Sequence, residues 1–174
     1  MVGNHNVGVI NYEKQSVHFT NYVGGYSVYE GFASALIWTA FEYSQGRFWA
    51  GTAGGLSLFD KKKGTSLSYY ADPKQANAIS NMSVLSIYED SKGGVWFGTD
   101  NGLNLYLPEI NGFTVYGMDE GFGDAGIRSI IEDPEGNLWL GTNNGLVKFN
   151  PDSENVENFL KHNGNSLGGF SNNT

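Results

Sequence analysis

The segment Gly136-Asn137-Leu138-Trp139-Leu140-Gly141-Thr142-Asn143-Asn144-Gly145-Leu146 decides the fold, because the same pattern occurs three times in the chain. It also occurs at 93–103 and 46–56, which places the repeated tryptophans at Trp49, Trp96 and Trp139. Their spacings are 47 and then 43 residues. Repeats of about 40–47 residues, each with four short strands, are typical of propeller blades.

Each repeat contains four short strands, most clearly between residues 84 and 116. Apolar and aromatic runs at 84–89, 95–99, 103–107 and 113–116 predict these strands. Short loops separate the runs, so neighbouring strands should pair antiparallel. Between the second and third strands, Asp100-Asn101-Gly102 carries the Asn-Gly pair of a tight hairpin with positive φ at both central residues.

We predict an all-β fold, a β-propeller with a partial array of about four four-stranded antiparallel blades. The repeat register extends to both ends of the chain. The predicted units are the tail of a blade at 1–21, blades at 22–71, 72–117 and 118–160, and the start of a further blade at 161–174, all in one incomplete propeller. A flat β-sandwich is the alternative, but it does not explain a fixed tryptophan period.

The number of repeats predicts association with further blades. Closed propellers have roughly four to eight blades, whereas this sequence holds three complete repeats with partial ones at both ends. An open array would expose apolar blade faces and edge strands. We therefore expect these blades to pack against other blades of a parent protein or to form a homo-oligomer.

Composition excludes several classes of partner. The net charge of −8 repels a phosphate backbone, so we expect no nucleic-acid partner. The triplet Lys61-Lys62-Lys63 is most simply a solvated turn. No apolar run is long enough for a membrane segment, and the residues from Met1 show no signal-peptide pattern. The absence of cysteine excludes disulfides and thiolate metal sites.

Residues shared by all repeats are assigned to architecture. We expect the tryptophans of the motif to pack between adjacent blades. The glycine two residues later allows the neighbouring sheet to approach closely. These structural residues are Trp49, Trp96, Trp139, Gly51, Gly98 and Gly141.

Candidate ligand-binding residues occur where the repeats differ. The first predicted strands align as Ile37-Trp38-Thr39, Val84-Leu85-Ser86 and Ile127-Arg128-Ser129, so only the middle residue changes its chemistry. In a propeller these strands line the central channel, and the hairpin tips share one mouth with the loops before them. An indole, a guanidinium and several amides suit a polar ligand such as a sugar. The candidates are Trp38, Arg128, Asp100, Asn101, Asp124, Asn143 and Asn144.

The alternative to this site is that Trp38 is packed and Arg128 is solvated or paired with an acid.

Residues for catalysis are not evident. The three histidines, His5, His18 and His162, lie outside the shared motif and have no metal-ligand spacing. The acid pairs at 89–90 and 132–133 recur at turns, so we interpret them as turn acids. We predict no enzyme activity, no metal and no cofactor.

The pattern at 132–146 closely resembles the two-component regulator propeller repeat. That resemblance implies the extracytoplasmic sensor part of a bacterial hybrid two-component system, with seven-bladed propellers in tandem, an immunoglobulin-like sandwich, a membrane helix and a histidine kinase. Many members are linked to the detection of oligosaccharides. The resemblance therefore implies a periplasmic fragment that contributes to ligand sensing.

Two other functions are compatible with a propeller. Streptogramin-lyase repeats share the Gly-x-Leu-Trp core, but such a lyase would need a catalytic histidine near the channel, which these histidine positions do not offer. A protein-interaction scaffold without a signalling role is the third possibility. Oligosaccharide titration separates a sensor from a scaffold.

Overall fold

The computed structural model describes residues 2–4, 8–13, 18–22, 32–34, 36–43, 47–60, 63, 65–122 and 126–160. Within these residues every regular element is a β-strand. The amino-terminal sheet has the strands β1 (Val2–Asn4), β2 (Gly8–Glu13) and β3 (His18–Tyr22). The all-β prediction is therefore confirmed.

Three four-stranded antiparallel sheets follow. The first sheet contains β4 (Ile37–Tyr43), β5 (Arg47–Thr52), β6 (Gly55–Asp60) and β7 (Thr65–Tyr69). The second contains β8 (Val84–Glu89), β9 (Val95–Thr99), β10 (Gly102–Leu107) and β11 (Gly112–Tyr116). The third contains β12 (Ile127–Glu132), β13 (Leu138–Thr142), β14 (Gly145–Asn150) and β15 (Asn155–Leu160). The four strands predicted between residues 84 and 116 are confirmed.

The three sheets stand side by side, with their first strands closest together. Strand β8 contacts β4 on one side and β12 on the other. Between the first and second sheets, Trp49 meets the Phe97 ring edge-on at 4.9 Å. Between the second and third, Trp96 meets Phe149 at 5.9 Å. Both tryptophans are buried, so the large area of each ring stabilises the stack of sheets.

Glycine sets the spacing between successive first strands. A Cβ on Gly98 would lie 2.5 Å from the Ile127 carbonyl oxygen and would also clash with Ser86 Oγ. Ser86 itself donates a hydrogen bond to that carbonyl at 3.1 Å. A Cβ on Gly51 would similarly lie 2.7 Å from the Val84 carbonyl oxygen. The missing side chains therefore let the sheets approach closely at the centre.

The hairpin between β9 and β10 differs from the predicted type. Positive φ occurs at Gly102, at 111°, but not at Asn101. The Thr99 hydroxyl accepts a hydrogen bond from Asn101 N at 3.0 Å and donates to Gly102 O at 3.1 Å. These bonds stabilise a turn in which the glycine alone needs the left-handed region. The prediction of two positive-φ residues is wrong at this hairpin.

Candidate functional site

One residue near the start of each first strand is left out of the strand pairing. The pairing of the first strand with the second shifts at this point in all three sheets. The skipped residues are Trp38 in β4, Leu85 in β8 and Arg128 in β12. A β-bulge bends the strand and redirects the bulged side chain. The position that varies among the repeats is therefore the bulged one.

Two of these bulged side chains are open to solvent. Trp38 is 46% exposed, and the Arg128 side chain is 56% exposed. The residues just before them, Ile37 and Ile127, are buried in the core. Each bulge thus separates a buried anchor from a side chain that can meet a ligand.

Arg128 is held between hairpins of two different sheets. Its Nε donates a hydrogen bond to Asn143 Oδ1 at 2.8 Å, and its Nη2 lies 3.8 Å from Asp100 Oδ1. Asn143 follows β13 of the third sheet, whereas Asp100 follows β9 of the second. A Cβ on Gly126 would lie 3.0 Å from both Asn143 Nδ2 and Asp100 Oδ1. We call Asp100, Arg128 and Asn143 the arginine cluster.

The arginine cluster is polar and accessible. The side chains of Arg128 and Asp100 are 56% and 43% exposed, so their ion pair is screened by water and contributes little to folding. The guanidinium supplies donors, the carboxylate supplies acceptors and the Asn143 amide supplies both. Opposite charges on Arg128 and Asp100 leave the cluster with no net charge.

The other predicted site residues lie at the tips of the same hairpins, on another sheet or outside the described residues. Asn101 and Asn144 are exposed at the tips of the same two hairpins, and each donates its backbone N–H to a preceding threonine hydroxyl. Trp38 lies two sheets from Arg128, with Leu85 on the first strand between them. Asp124 lies outside the described residues. The structure therefore brings together three of the seven candidates.

Trp139 has a different environment from the other two motif tryptophans. It is half-buried, its ring stacks on Phe159 at 5.6 Å, and Lys148 Nζ lies 5.5 Å from the ring centroid. Two residues further along, a Cβ on Gly141 would clash with Ser129 Oγ of β12. This glycine therefore accommodates a side chain of its own sheet.

The turn acids have a second role that the sequence patterns did not suggest. Asp90 Oδ2 accepts a hydrogen bond from Trp96 Nε1 at 2.6 Å, and Asp133 Oδ2 accepts one from Trp139 Nε1 at 2.8 Å. Partial burial raises the pKa of Asp133, but hydrogen bonds, first from Asn137 and then from Trp139, outweigh it and lower the pKa to about 2. Asp133 therefore remains ionised, and both aspartates fix the indoles through these hydrogen bonds.

Asn104 is a buried polar residue that sequence reasoning missed. Its Oδ1 accepts a hydrogen bond from Ser80 N at 2.8 Å, and its Nδ2 donates to Ser80 Oγ at 2.9 Å and to Phe97 O at 3.2 Å. These bonds hold the loop before β8 against the sheet. The sequence feature that could have revealed this residue is an asparagine in the third strand, at the position where the other repeats have Ser57 and Val147.

The described residues hold no cluster of three or more His, Cys, Asp or Glu side chains that could bind a metal ion. Of the three histidines, His18 lies in β3, while His5 and His162 fall outside the described ranges. Over the same described residues, no helix has the length and apolar character needed to span a membrane.

Comparison with known proteins gives one family and several similar structures. Residues 78–101 and 121–144 match the two component regulator propeller. No curated protein matches the chain. The extracellular domain assigned to the hybrid two-component system BT4673 of B. thetaiotaomicron has 24% identity and a TM-score of 0.74, and the match covers 92% of this chain and 20% of that one. The extracellular domain assigned to the hybrid two-component system BT3049 of the same organism has 18% identity and a TM-score of 0.58, and the match covers 88% of this chain and 30% of that one.

The fold is therefore that of a β-propeller, as predicted, and the described residues form three four-stranded antiparallel sheets. The family-model matches at 78–101 and 121–144 confirm the resemblance to the two-component regulator propeller repeat noted at residues 132–146. It spans 20% and 30% of the length of the two similar solved chains.

Proposed function

We propose that this chain is a ligand-sensing part of the periplasmic sensor region of a hybrid two-component system. The matched repeats support this role, since their family is named for two-component regulators. The two similar structures are extracellular domains assigned to hybrid two-component systems. In that setting the propeller recognises a ligand outside the cytoplasmic membrane, and a histidine kinase elsewhere in the parent protein carries the signal.

The arginine cluster supports a neutral, polar ligand such as an oligosaccharide. Arg128, Asp100 and Asn143 together supply hydrogen-bond donors and acceptors without net charge. Sugar hydroxyl groups both donate and accept, so they match this mixture. Trp38 adds a half-exposed indole at the same end of the first strands, which can pack against the apolar face of a sugar ring.

The proposed role is binding without turnover. The acid of the cluster, Asp100, lies 3.8 Å from the Arg128 guanidinium. The turn aspartates Asp90 and Asp133 lie at the opposite end of the first strands and are engaged by indole N–H groups. A sensor needs no chemical step on its ligand.

Calorimetric titration of the chain with a panel of neutral oligosaccharides tests this proposal. For any panel member that binds, Arg128→Ala and Trp38→Ala should each weaken binding about tenfold or more, which corresponds to ~1.4 kcal/mol. Lys92→Ala is the matched control, because Lys92 is also an exposed cation paired with an aspartate, Asp152 at 2.5 Å, but follows the far end of β8.

Unchanged affinity in both the Arg128→Ala and Trp38→Ala chains would contradict the proposed ligand site. Equal losses in those chains and in Lys92→Ala would also contradict it, since the effect would then be one of charge or stability. A chain that binds no panel member would contradict small-ligand sensing and favour the protein-interaction scaffold.

A further inference from the structure

The four-residue difference between the two tryptophan spacings lies in one loop. Strands β7 and β8 are joined by the fourteen residues 70–83, whereas β11 and β12 are joined by the ten residues 117–126. The remaining loops between successive tryptophans have the same lengths in both intervals. In repeat proteins, insertions of this kind often build a binding surface.

The longer loop has a defined shape. Asp72 O accepts a hydrogen bond from Gln75 N at 3.0 Å, and the Asp72 carboxylate accepts bonds from Lys74 N and Gln75 Nε2, each at 2.9 Å. Further along, Asn77 O accepts a hydrogen bond from Phe113 N of β11 at 2.9 Å. The loop therefore leaves the first sheet and is fixed to the outer strand of the second.

Gly112 makes room for this loop. A Cβ on Gly112 would lie 2.7 Å from Asn77 Nδ2 and 3.0 Å from Asn77 O. The corresponding positions in the first and third sheets are Thr65 and Asn155, which carry side chains. The glycine thus occurs in the sheet against which the longer loop packs.

The loop borders a cleft of ≈ 460 Å³ between the outer strands of the first and second sheets. Small-molecule sites usually have volumes of ~300–1,000 Å³. The residues that carry its chemistry are Tyr69, Tyr70, Asp72, Gln75, Asn77 and Asn111. No described lysine or arginine lines the cleft, and it contains one carboxylate, so an anionic ligand is disfavoured.

Asn111 presents a preorganised amide to the cleft. Its Oδ1 accepts hydrogen bonds from Tyr69 OH at 2.6 Å and from Tyr106 OH at 2.9 Å. Within the described residues its Nδ2 donates to no acceptor. Burial and the hydrogen bond with Tyr106 raise the pKa of Tyr69, so its hydroxyl stays protonated. The cleft therefore offers fixed donors and acceptors, beside the half-exposed ring of Tyr70.

We infer that this cleft is a second ligand site, which takes a neutral polyhydroxylated molecule the size of one or two sugar rings. Amides and tyrosine hydroxyls bind groups that both donate and accept, and the Tyr70 ring supplies an apolar surface. The site goes beyond the proposed function, because the first and second sheets form it, whereas the arginine cluster lies between the second and third.

Amide NMR spectra test the inference directly. The ¹⁵N-labelled chain is titrated with glucose, galactose, xylose, maltose, cellobiose and lactose, and the side-chain amides of Gln75, Asn77 and Asn111 are followed. We expect at least one sugar to shift these resonances, and glucuronate to shift none. Asn111→Gly removes the amide but keeps the turn, since glycine tolerates the φ of 50° found there. It should weaken binding about tenfold, as expected for a lost hydrogen bond.

Glu154→Gly is the matched control and should leave the affinity unchanged, because Glu154 has a φ of 56° in the corresponding turn of the third sheet. A second variant, which lacks residues 73–76 and so has a loop as short as 117–126, should also lose the sugar-induced shifts. No shift at these amides with any of the sugars overturns the inference, as does undiminished affinity in Asn111→Gly.

The same spectra separate the two sites. Shifts at Arg128 Nε and the Asn143 amide without shifts at the cleft overturn the second site and leave the proposed function standing. Shifts at the cleft without shifts at the arginine cluster support the second site and count against the proposed function.

Discussion

Asp133 Oδ2 accepts a hydrogen bond from Trp139 Nε1 at 2.8 Å. Asp90 and Trp96 form the same pair in the second sheet, at 2.6 Å. In both sheets the aspartate stands six residues before the tryptophan, in the turn that joins the first two strands. Because Asp133 is ionised, its hydrogen bond is charge-assisted, so it fixes the polar edge of the indole while packing fixes its faces.

This pair predicts a dependence of stability on acid. The pKa of Asp133 is about 2 in the folded chain, below its ordinary value of 3.8. Ionised Asp133 therefore stabilises the folded state above pH 3.8, and this contribution is lost as the pH falls through about 2. Denaturant unfolding followed by circular dichroism should show that the free energy of unfolding of the wild type falls over this range. The free energy of unfolding of the Asp133→Asn chain should fall less.

Asp119→Asn is the control for that measurement, because Asp119 is an exposed aspartate in the loop after β11. The Asp119→Asn chain should lose stability with acid as the wild type does. If the free energy of unfolding falls equally for Asp133→Asn and for the wild type between about pH 4 and about pH 2, the Asp133–Trp139 hydrogen bond does not contribute to stability.

Gly98→Ala tests the close approach of the second and third sheets. The added Cβ would lie 2.5 Å from the Ile127 carbonyl oxygen, which belongs to the backbone of the neighbouring sheet. We expect a loss of about 1–3 kcal/mol in the free energy of unfolding, the usual cost of overpacking. Gly117→Ala should have little effect, since a Cβ there comes no closer than 3.8 Å to Glu120 Oε2. Equal stability of the two variants would contradict this packing.

Asn104→Ala tests the buried polar anchor of the loop before β8. Removing the amide leaves the backbone N–H of Ser80 without the bond it makes at 2.8 Å. The expected cost is about 1–3 kcal/mol in the free energy of unfolding, measured by thermal or denaturant unfolding. Asn158→Ala is the exposed control and should cost well under this amount. If Asn104→Ala left the free energy of unfolding unchanged, the result would show that water replaces the hydrogen bonds of the Asn104 amide.

The three sheets show how much of this fold could be predicted from the sequence. Each repeat carries its own tryptophan, glycine and turn residues, so local patterns predict the strands of the second sheet within a residue or so of their bounds. The hairpin after Thr99 could not be predicted in the same way. There the threonine hydroxyl binds the turn, and this contact outweighs the usual preference of an Asn-Gly pair.

The candidate site could be predicted only in part. Alignment of the repeats singled out Trp38 and Arg128, because their chemistry varies while their neighbours do not. The contact of Arg128 with Asp100 depends on how two sheets are placed, which no pattern within one repeat records. The cleft was signalled by unequal tryptophan spacing, but the position of the extra residues becomes evident only once the strand bounds are known.

An exposed apolar face of the third sheet leads us to expect that the chain associates with itself. Ile131 and Leu146 are 62% and 40% exposed, on the face that carries Trp139. In the second sheet the corresponding residues, Tyr88 and Leu103, pack against the third sheet. An exposed apolar face of this kind promotes association. We expect sedimentation velocity to show oligomers or aggregates of the wild-type chain.

The double variant Ile131→Ser/Leu146→Ser should shift the sedimentation profile towards the monomer. Leu67→Ser is its control, because Leu67 is 47% exposed but lies on the outer strand of the first sheet. A monodisperse wild-type monomer, or a double variant that associates as strongly as the wild type, would count against this interface.

A crystal structure of the chain with a bound neutral oligosaccharide tests most directly whether the arginine cluster is a ligand site. We predict that the sugar lies within hydrogen-bond distance of Arg128 and Asn143, with hydroxyl groups that replace or extend the 3.8 Å contact to Asp100. Sugar bound elsewhere, with the three side chains of the cluster untouched, would contradict the account.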